Sequence, residues 1–179
     1  GWRLEGNVFK KACDEQRAAS SEGGVEEFLP LYEAKMIHHF DHRWATYEGG
    51  SKQVKRDRTL FFDPDGEPEE ASDLSVRDIS LEEKRSPDFE PLPRYWVSKS
   101  EVEAKLEGRW PHRWLLGWRD ITNTTNERTA IFSIFPQAGV GHTCPLFMTE
   151  RSESLFCLVT DLDSLVSDYI TRQKVGGTH

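Results

Sequence analysis

The side chains best suited to chemistry lie together at positions 38–42, where imidazole and carboxylate groups occur within five residues. They are His38, His39, Asp41 and His42. Such groups bind transition metals, and His38 and His42 would share one face if this segment were helical. The H-E-x-x-H pattern is missing, and no second cluster supplies further ligands. We expect no metal site, and a small metal-dependent hydrolase built on His38 and His42 stays an alternative.

The same segment offers hydrogen-bond donors that suit a polyanion. Four side chains here can reach phosphates or base edges, namely Lys35, His38, His42 and Arg43. The simpler interpretation is a polar surface segment that is partly buried. Both interpretations are open at this point.

Aromatic and guanidinium groups alternate in the middle of the chain. The tryptophans are expected to lie mostly in the core, because aromatic side chains bury large apolar areas. Arginine makes bidentate contacts to guanine or phosphate, although a structural role has equal weight for any one arginine. The tryptophans in question are Trp96, Trp110, Trp114 and Trp118, and the arginines are Arg94, Arg109, Arg113, Arg119 and Arg128.

Independent catalysis is not expected of this chain. The sequence has no P-loop, no G-x-G-x-x-G and no Asn-Pro-Pro-aromatic run for holding a target amine. Pro87-Asp88 followed by the E-A-K run at 103–105 imitates a restriction-nuclease motif. That motif needs its second acid and its lysine on a strand, whereas here they fall within a predicted helix. We therefore expect no catalytic residues and no bound cofactor.

Composition favours one domain of modest hydrophobicity. The chain has 179 residues, of which 36% are hydrophobic and 30% charged, with a net charge of −8. Residues 63–90 contain eleven acids and three bases, a balance equal to the charge of the whole chain. A run of like charge usually marks a solvated loop, so this acidic loop is expected to be prone to disorder. A neutral remainder permits DNA binding without indicating it.

Cysteine usage and hydropathy indicate the compartment. Cys13, Cys144 and Cys157 are far apart and odd in number, which favours a reducing cytoplasm over a disulfide framework. No apolar run approaches the ~18 residues of a membrane span, so no membrane association is expected. Because residue 1 is not methionine and the chain stops after a helical pattern, we expect an excised piece of a longer protein.

The order of elements predicts an α+β fold with a mixed or antiparallel sheet. Runs rich in β-branched and aromatic residues predict strands at 28–32, 94–97, 114–121 and 128–135. The last two runs flank a short polar turn and are expected to pair as an antiparallel hairpin. Arg119 and Arg128 would then lie close together near the turn, and we expect at least one of them to face DNA.

Helices are predicted on either side of this hairpin. Ser98 and Glu101 have the spacing of a capping box, which predicts a helix that stops at Gly108. Apolar residues at helical spacing predict one long C-terminal helix over residues 153–173. Residues 1–27 are interpreted as a polar arm, and residues 28–179 as the domain that carries the acidic insertion 63–90.

Three blocks of sequence, taken in order, resemble a known family. The blocks are LPLYEAKMIHHFDHRWATYEG (29–49), PRYWV with WLLGWRDITNTTNERTAIFSIFPQAGVGHTCPLF (93–97 and 114–147), and LVSDYITRQKVGGTH (165–179). They resemble the TaqI-like target-recognition domain in the C-terminal region of type IIG restriction–modification enzymes and related large adenine-N6 DNA methyltransferases. The acidic stretch fits a variable insertion between blocks.

The resemblance implies a sequence-recognition module that lies downstream of a methyltransferase domain. In such enzymes the methyltransferase domain binds S-adenosylmethionine and flips out an adenine, while the recognition domain grips double-stranded DNA. An alternative is a module that docks the methyltransferase domain to its neighbours and touches DNA little. Phe40, Asp120, Glu127 and the 172–179 tail are among the matching positions. The residues expected to contact DNA are Lys35, His38, His42, Arg43, Arg94, Arg119, Arg128 and Thr129.

Overall fold

The computed structural model describes residues 2–5, 8–11, 26–49 and 74–175, which form an α+β fold. The strands are β1 (Trp2–Glu5), β2 (Val8–Lys11), β3 (Glu26–Tyr32), β4 (Ala45–Gly49), β5 (Leu74–Asp78), β6 (Trp96–Ser98), β7 (Trp114–Trp118), β8 (Phe132–Pro136), β9 (Gly139–Val140) and β10 (Leu146–Phe147). The α-helices are α1 (Leu81–Arg85), α2 (Lys99–Leu106), α3 (Leu155–Leu162) and α4 (Leu165–Lys174). Short 3-10 helices cover Ala34–Met36 and Ser152–Ser154.

The largest sheet is mixed and is built around β3. This strand pairs antiparallel with β2 and β6 and parallel with β9, which confirms the predicted sheet type. Phe28, Leu29 and Tyr32 of β3 are buried, as expected of a strand that packs against the core. The predicted boundary between arm and domain falls inside β3, and the strands β1 and β2 before it extend this sheet.

The predicted hairpin forms the second sheet, in the order β10-β7-β8. Strands β7 and β8 pair antiparallel, with Leu116 opposite Ile134. The ring of Phe135 stacks on Tyr32 with centroids 4.9 Å apart, so this contact joins the two larger sheets. The connection is longer than predicted, because residues 128–131 lie outside β8. We call residues 119–131 the connecting loop.

The prediction of one long C-terminal helix was wrong in a specific way. Helices α3 and α4 are separated at Asp163 and Ser164. The Asp163 carboxylate accepts a hydrogen bond from the Phe132 N–H at 2.9 Å, and the Ser164 hydroxyl caps α4 by accepting from the Ser167 N–H. Helical spacing of apolar residues continued through the break, so it could not reveal these two side-chain contacts.

The prediction of a disordered acidic loop was wrong for residues 74–90, and residues 63–73 lie outside the described residues. Strand β5 pairs with β4, and α1 follows with a capping box between Ser80 and Glu83. Arg77 donates to Glu83 at 2.6 Å and pairs with Glu48 at 2.6 Å. The Arg77 guanidinium, followed by the hydrogen bonds from Ser80, lowers the pKa of the Glu83 carboxyl to about 2. Ion pairs between Arg77 and the neighbouring acidic side chains therefore help to order this segment.

Helix α2 begins one residue after Ser98, as predicted, and ends before Gly108, whose φ is +68°. The Ser98 hydroxyl lies 2.8 Å from the Ser100 hydroxyl, and its side chain makes no capping hydrogen bond. Of the helices in the described ranges, none has the length and apolar character needed to cross a bilayer.

Gly117 tests how tightly the core packs against β7. A Cβ atom at this position would lie 2.9 Å from Phe135 Cε1 and 3.0 Å from Cys144 Sγ, both in the buried core. Gly117→Ala is therefore expected to lower the free energy of unfolding by about 1–3 kcal/mol. Gly141→Ala is the matched control, because its nearest atoms would be 3.6 Å and 3.8 Å away. Equal urea midpoints for the two variants would contradict this account.

Candidate nucleic-acid interface

The turn at residues 38–41 packs against the connecting loop, so two of the sequence blocks meet there. Arg119 donates from Nε and Nη2 to the Ile37 carbonyl at 2.9 Å and 2.6 Å. His39 Nε2 lies 2.6 Å from the Ala130 carbonyl. These contacts join positions far apart in sequence into one surface at the end of the β7–β8 hairpin.

The 38–41 turn is a tight reversal with an unusual residue at its tip. The His38 N–H donates to the Asp41 carbonyl at 2.7 Å, and the Asp41 N–H donates back at 3.0 Å. Phe40 has φ of 54° and is 61% exposed. The left-handed region suits Gly or Asn and costs other residues roughly 1–2 kcal/mol. The surrounding contacts must therefore hold Phe40 in this conformation.

Both flanks of the turn are fixed by side chains. Asp41 accepts from Lys84 Nζ at 2.6 Å and from the Arg43 N–H at 2.8 Å. The His38 ring stacks on Trp44 with centroids 4.2 Å apart, and Lys84 Nζ lies 4.6 Å from the same Trp44 ring. These contacts on both sides of the turn fix the backbone that carries the exposed Phe40 side chain.

The environment of His38 and His42 favours their neutral imidazole forms. Burial lowers the pKa of His38, and the nearby Arg119 guanidinium lowers it further. Burial is also the main cause of the lowered pKa of His42. Neutral imidazoles offer both a donor and an acceptor, so these residues suit hydrogen bonding to base edges better than charge pairing with phosphate.

The connecting loop receives its backbone partners from α4. Asp168 Oδ1 accepts from the Thr129 and Ala130 N–H groups at 2.6 Å and 2.9 Å. Arg172 donates to three loop carbonyls, at 2.9–3.0 Å, and also to Asp168 Oδ2 at 3.3 Å. Those carbonyls belong to Thr124, Asn126 and Glu127. Two side chains one helical turn apart therefore clamp the second half of the loop, residues 124–130.

Opposing influences act on the Asp168 carboxyl. Burial alone would raise its pKa, but the Ala130 and Thr129 N–H groups, with Arg172 and Arg128, outweigh burial and lower it. The clamp therefore contains a carboxylate that stays ionised well below neutral pH.

The clamp leaves a set of polar side chains on the outside of the loop. Asp120, Thr125, Asn126 and Glu127 are exposed, together with the apolar Ile121. Asn123 is half-buried, and its Oδ1 accepts from the Thr125 N–H at 3.0 Å. Amide, hydroxyl and carboxylate groups on a fixed backbone can read the hydrogen-bonding pattern of base edges.

Three of the predicted DNA-contacting residues are engaged inside the fold. Arg43 donates to the Glu83 and Ser86 carbonyls at 2.8 Å and 2.9 Å, which caps the end of α1. Arg119 holds the Ile37 carbonyl, and Thr129 is buried against Asp168. In the structure these three residues position the turn and the loop. A direct contact of any of them with DNA stays a prediction.

The other predicted residues divide between two places. His38 and His42 flank the turn, and Arg128 Nη1 lies 4.0 Å from Asp168 Oδ2 beside the loop. Lys35 is exposed, with Nζ 5.3 Å from the centroid of the Tyr47 ring. Arg94 lies over the Tyr95 ring at 5.2 Å, and its charge acts on Tyr47. Lys35 and Arg94 thus share the neighbourhood of Tyr47.

The histidine cluster does not converge on one point. The His38 ring is stacked on Trp44, whereas His39 Nε2 is bound to the Ala130 carbonyl and lies 3.5 Å from Asp163 Oδ1. Within the described ranges, no group of three or more His, Cys, Asp or Glu side chains could hold a metal ion.

Sequence reasoning missed the residues that organise the loop, Asp163 and Asp168. A small clue was available, because Asp168 and Arg172 have the i,i+4 spacing of a helical ion pair. That spacing predicts a surface pair and gives no indication of the loop carbonyls that Arg172 contacts.

Comparison of the chain with protein-family models, with curated proteins and with solved structures finds no significant match.

Asp168→Asn tests the clamp through its pH dependence. At pH 7 this variant should lose about 1.5–3 kcal/mol of unfolding free energy, as expected for hydrogen bonds to a charged group. Because the folded pKa of Asp168 lies below its ordinary value, the carboxylate stabilises the fold fully above about pH 4. The difference from wild type should therefore shrink as the pH falls further. Urea titrations at several pH values measure it.

The control is Asp161→Asn, a substitution at an exposed carboxylate on α3. It should change the unfolding free energy little at any pH. A loss for Asp168→Asn that is constant from pH 7 to pH 3 would contradict an ionised clamp.

Proposed function

We propose that this chain is the part of an adenine-N6 DNA methyltransferase that recognises sequence in double-stranded DNA, and that it performs no catalysis itself. The observation that carries the proposal is the clamped connecting loop. Asp168 and Arg172 hold its backbone from inside while Thr125, Asn126 and Glu127 stay exposed. A rigid backbone that presents varied polar side chains is what base recognition requires.

The exposed groups match the chemistry of the major groove. An asparagine amide can pair with the N6 and N7 atoms of adenine, and a carboxylate can accept from the N4 amino group of cytosine. Asn126 and Glu127 supply these two types next to each other. The exposed cations Lys35 and Arg85 are available for phosphate, where contacts position a protein without reading sequence.

The resemblance of the three blocks supports the wider setting. Residues from all three blocks come together, because the connecting loop contacts both the turn and α4. In this proposal the partners are double-stranded DNA and a methyltransferase domain of the same polypeptide, which binds S-adenosylmethionine. The location is the cytoplasm, as the cysteine usage favours.

The test is a selection for binding from a randomised pool of duplexes, followed by anisotropy titrations of the selected duplex. We expect one enriched motif and an affinity that falls linearly with salt concentration on logarithmic axes. Asn126→Ala should cost about 1–3 kcal/mol of discrimination at one position of the motif.

Gln137→Ala is the matched control, since this amide follows the far end of β8. It should leave the motif unchanged. A pool that yields no motif, together with binding that does not respond to salt, would refute the proposal.

A docking module is the second candidate, and one observation favours it. Four apolar side chains on one face of α4 are exposed, each by about half or more of its surface: Leu165, Val166, Tyr169 and Ile170. We call them the α4 strip. Exposed apolar patches of this kind often mark interaction sites. The occupant in this reading is the methyltransferase domain of the same polypeptide.

Charging the α4 strip separates the two functions. In the whole methyltransferase polypeptide, Val166→Lys with Tyr169→Lys should reduce methylation strongly if α4 docks the catalytic domain. The affinity of this chain for duplex DNA should not fall, since added positive charge does not weaken binding to a polyanion. Gln173→Lys, at an exposed polar position of α4, is the matched control. Methylation that is equal in the two variants would eliminate the docking function.

A further inference from the structure

We propose that the Phe40 ring stacks on a nucleobase of bound DNA. This inference rests on the proposed function and names one contact that supplies affinity. Phe40 is 61% exposed at the tip of the 38–41 turn, next to the connecting loop.

The backbone of Phe40 is the first reason for the proposal. Among the described residues, it is the one non-glycine residue with positive φ. Glycine or asparagine would relieve this strain, and burial of the ring could compensate for it. The ring is mostly exposed, and among the described residues it has an edge contact with His39, with centroids 6.4 Å apart. That contact does not account for phenylalanine at this position, whereas a contact with a bound ligand would.

The second reason for the proposal is that side-chain contacts fix the 38–41 turn. His39 is fixed on the Ala130 carbonyl, and Asp41 is fixed by Lys84 and by the Arg43 N–H. A ring held on such a base loses little conformational entropy when it binds.

The surroundings identify the class of ligand. The ring can stack on a flat π face, and the exposed Asn126 amide on the connecting loop can bind a hydrogen-bonding edge. The Lys84 ammonium behind the turn is already paired with Asp41 at 2.6 Å. A nucleobase in DNA combines a π face with hydrogen-bonding edges. In a duplex that face becomes accessible where an apolar side chain enters a base step and partly unstacks it.

The experiment measures anisotropy of a mixed-sequence 30-bp duplex with the full chain and four variants, over a range of salt concentrations. Phe40→Trp keeps an aromatic ring, Phe40→Leu keeps an apolar side chain without the ring, and Phe40→Gly removes both. Phe156→Ala is the matched control, because Phe156 is 53% exposed and packs near Trp114, at the other end of β7.

We expect Phe40→Gly and Phe40→Leu to weaken binding by about five- to a hundredfold, the range for stacking on one base. Phe40→Trp and Phe156→Ala should bind within about twofold of wild type. The slope of affinity against salt should be the same for all, since no phosphate contact is lost. The thermal midpoint of Phe40→Gly should not fall, because glycine adopts positive φ readily.

Each contrary outcome has one meaning. A wild-type chain without salt-dependent duplex binding would refute the proposed function, and this inference with it. Normal binding by Phe40→Gly would refute the inference alone and would favour a protein partner for the turn. Normal binding by Phe40→Leu would show apolar packing in place of stacking. A marked drop in the thermal midpoint of Phe40→Gly would show that the ring serves the fold.

Discussion

The hydrogen bonds from α4 to the backbone of the connecting loop are the constraint on which the surrounding structure depends. A loop of this length beside a core must find partners for its N–H and C=O groups, because unpaired buried groups are costly. Asp168 and Arg172 supply those partners. Asp163 does the same for the first residue of β8, and α3 and α4 are separated at that position. Both the break between the helices and the loop shape are thus accompanied by side-chain hydrogen bonds to backbone groups of residues 124–132.

Local patterns predicted the elements whose causes are local. Strand β3 and the β7–β8 hairpin follow from alternation and turn residues. Helix α2 begins where the spacing of Ser98 and Glu101 predicted, although the Ser98 side chain makes no capping hydrogen bond. The acidic segment misled the prediction because its order comes from Arg77, which pairs with Glu48 across the β4–β5 ribbon. The net charge of a segment gives the balance of acids and bases but does not show which of them form ion pairs. The α4 strip misled it too, because helical periodicity shows that apolar residues share a face without showing that anything covers it.

The sequence named candidate residues in two separate segments, 29–49 and 114–147, and did not show how these segments contact each other. In the structure they meet at the 38–41 turn. Spacing could not show that Arg119 would hold the Ile37 carbonyl, since 82 positions separate the two residues in sequence. Nor could it show the positive φ of Phe40, because the sequence H-H-F-D contains neither the glycine nor the asparagine that usually marks such a turn.

The clamp also sets an order of events during synthesis of the chain. The connecting loop leaves the ribosome well before Arg172, which lies 48 positions after Thr124. Strand β3 likewise leaves the ribosome well before β9, with which it pairs. Until then β3 exposes an unpaired edge, and the loop has no fixed conformation. Pairing between distant segments is slow, and open edges favour association with other chains. The connecting loop is therefore fixed late, when α4 forms, and a pause of the ribosome between residues 131 and 168 would prolong its unclamped state.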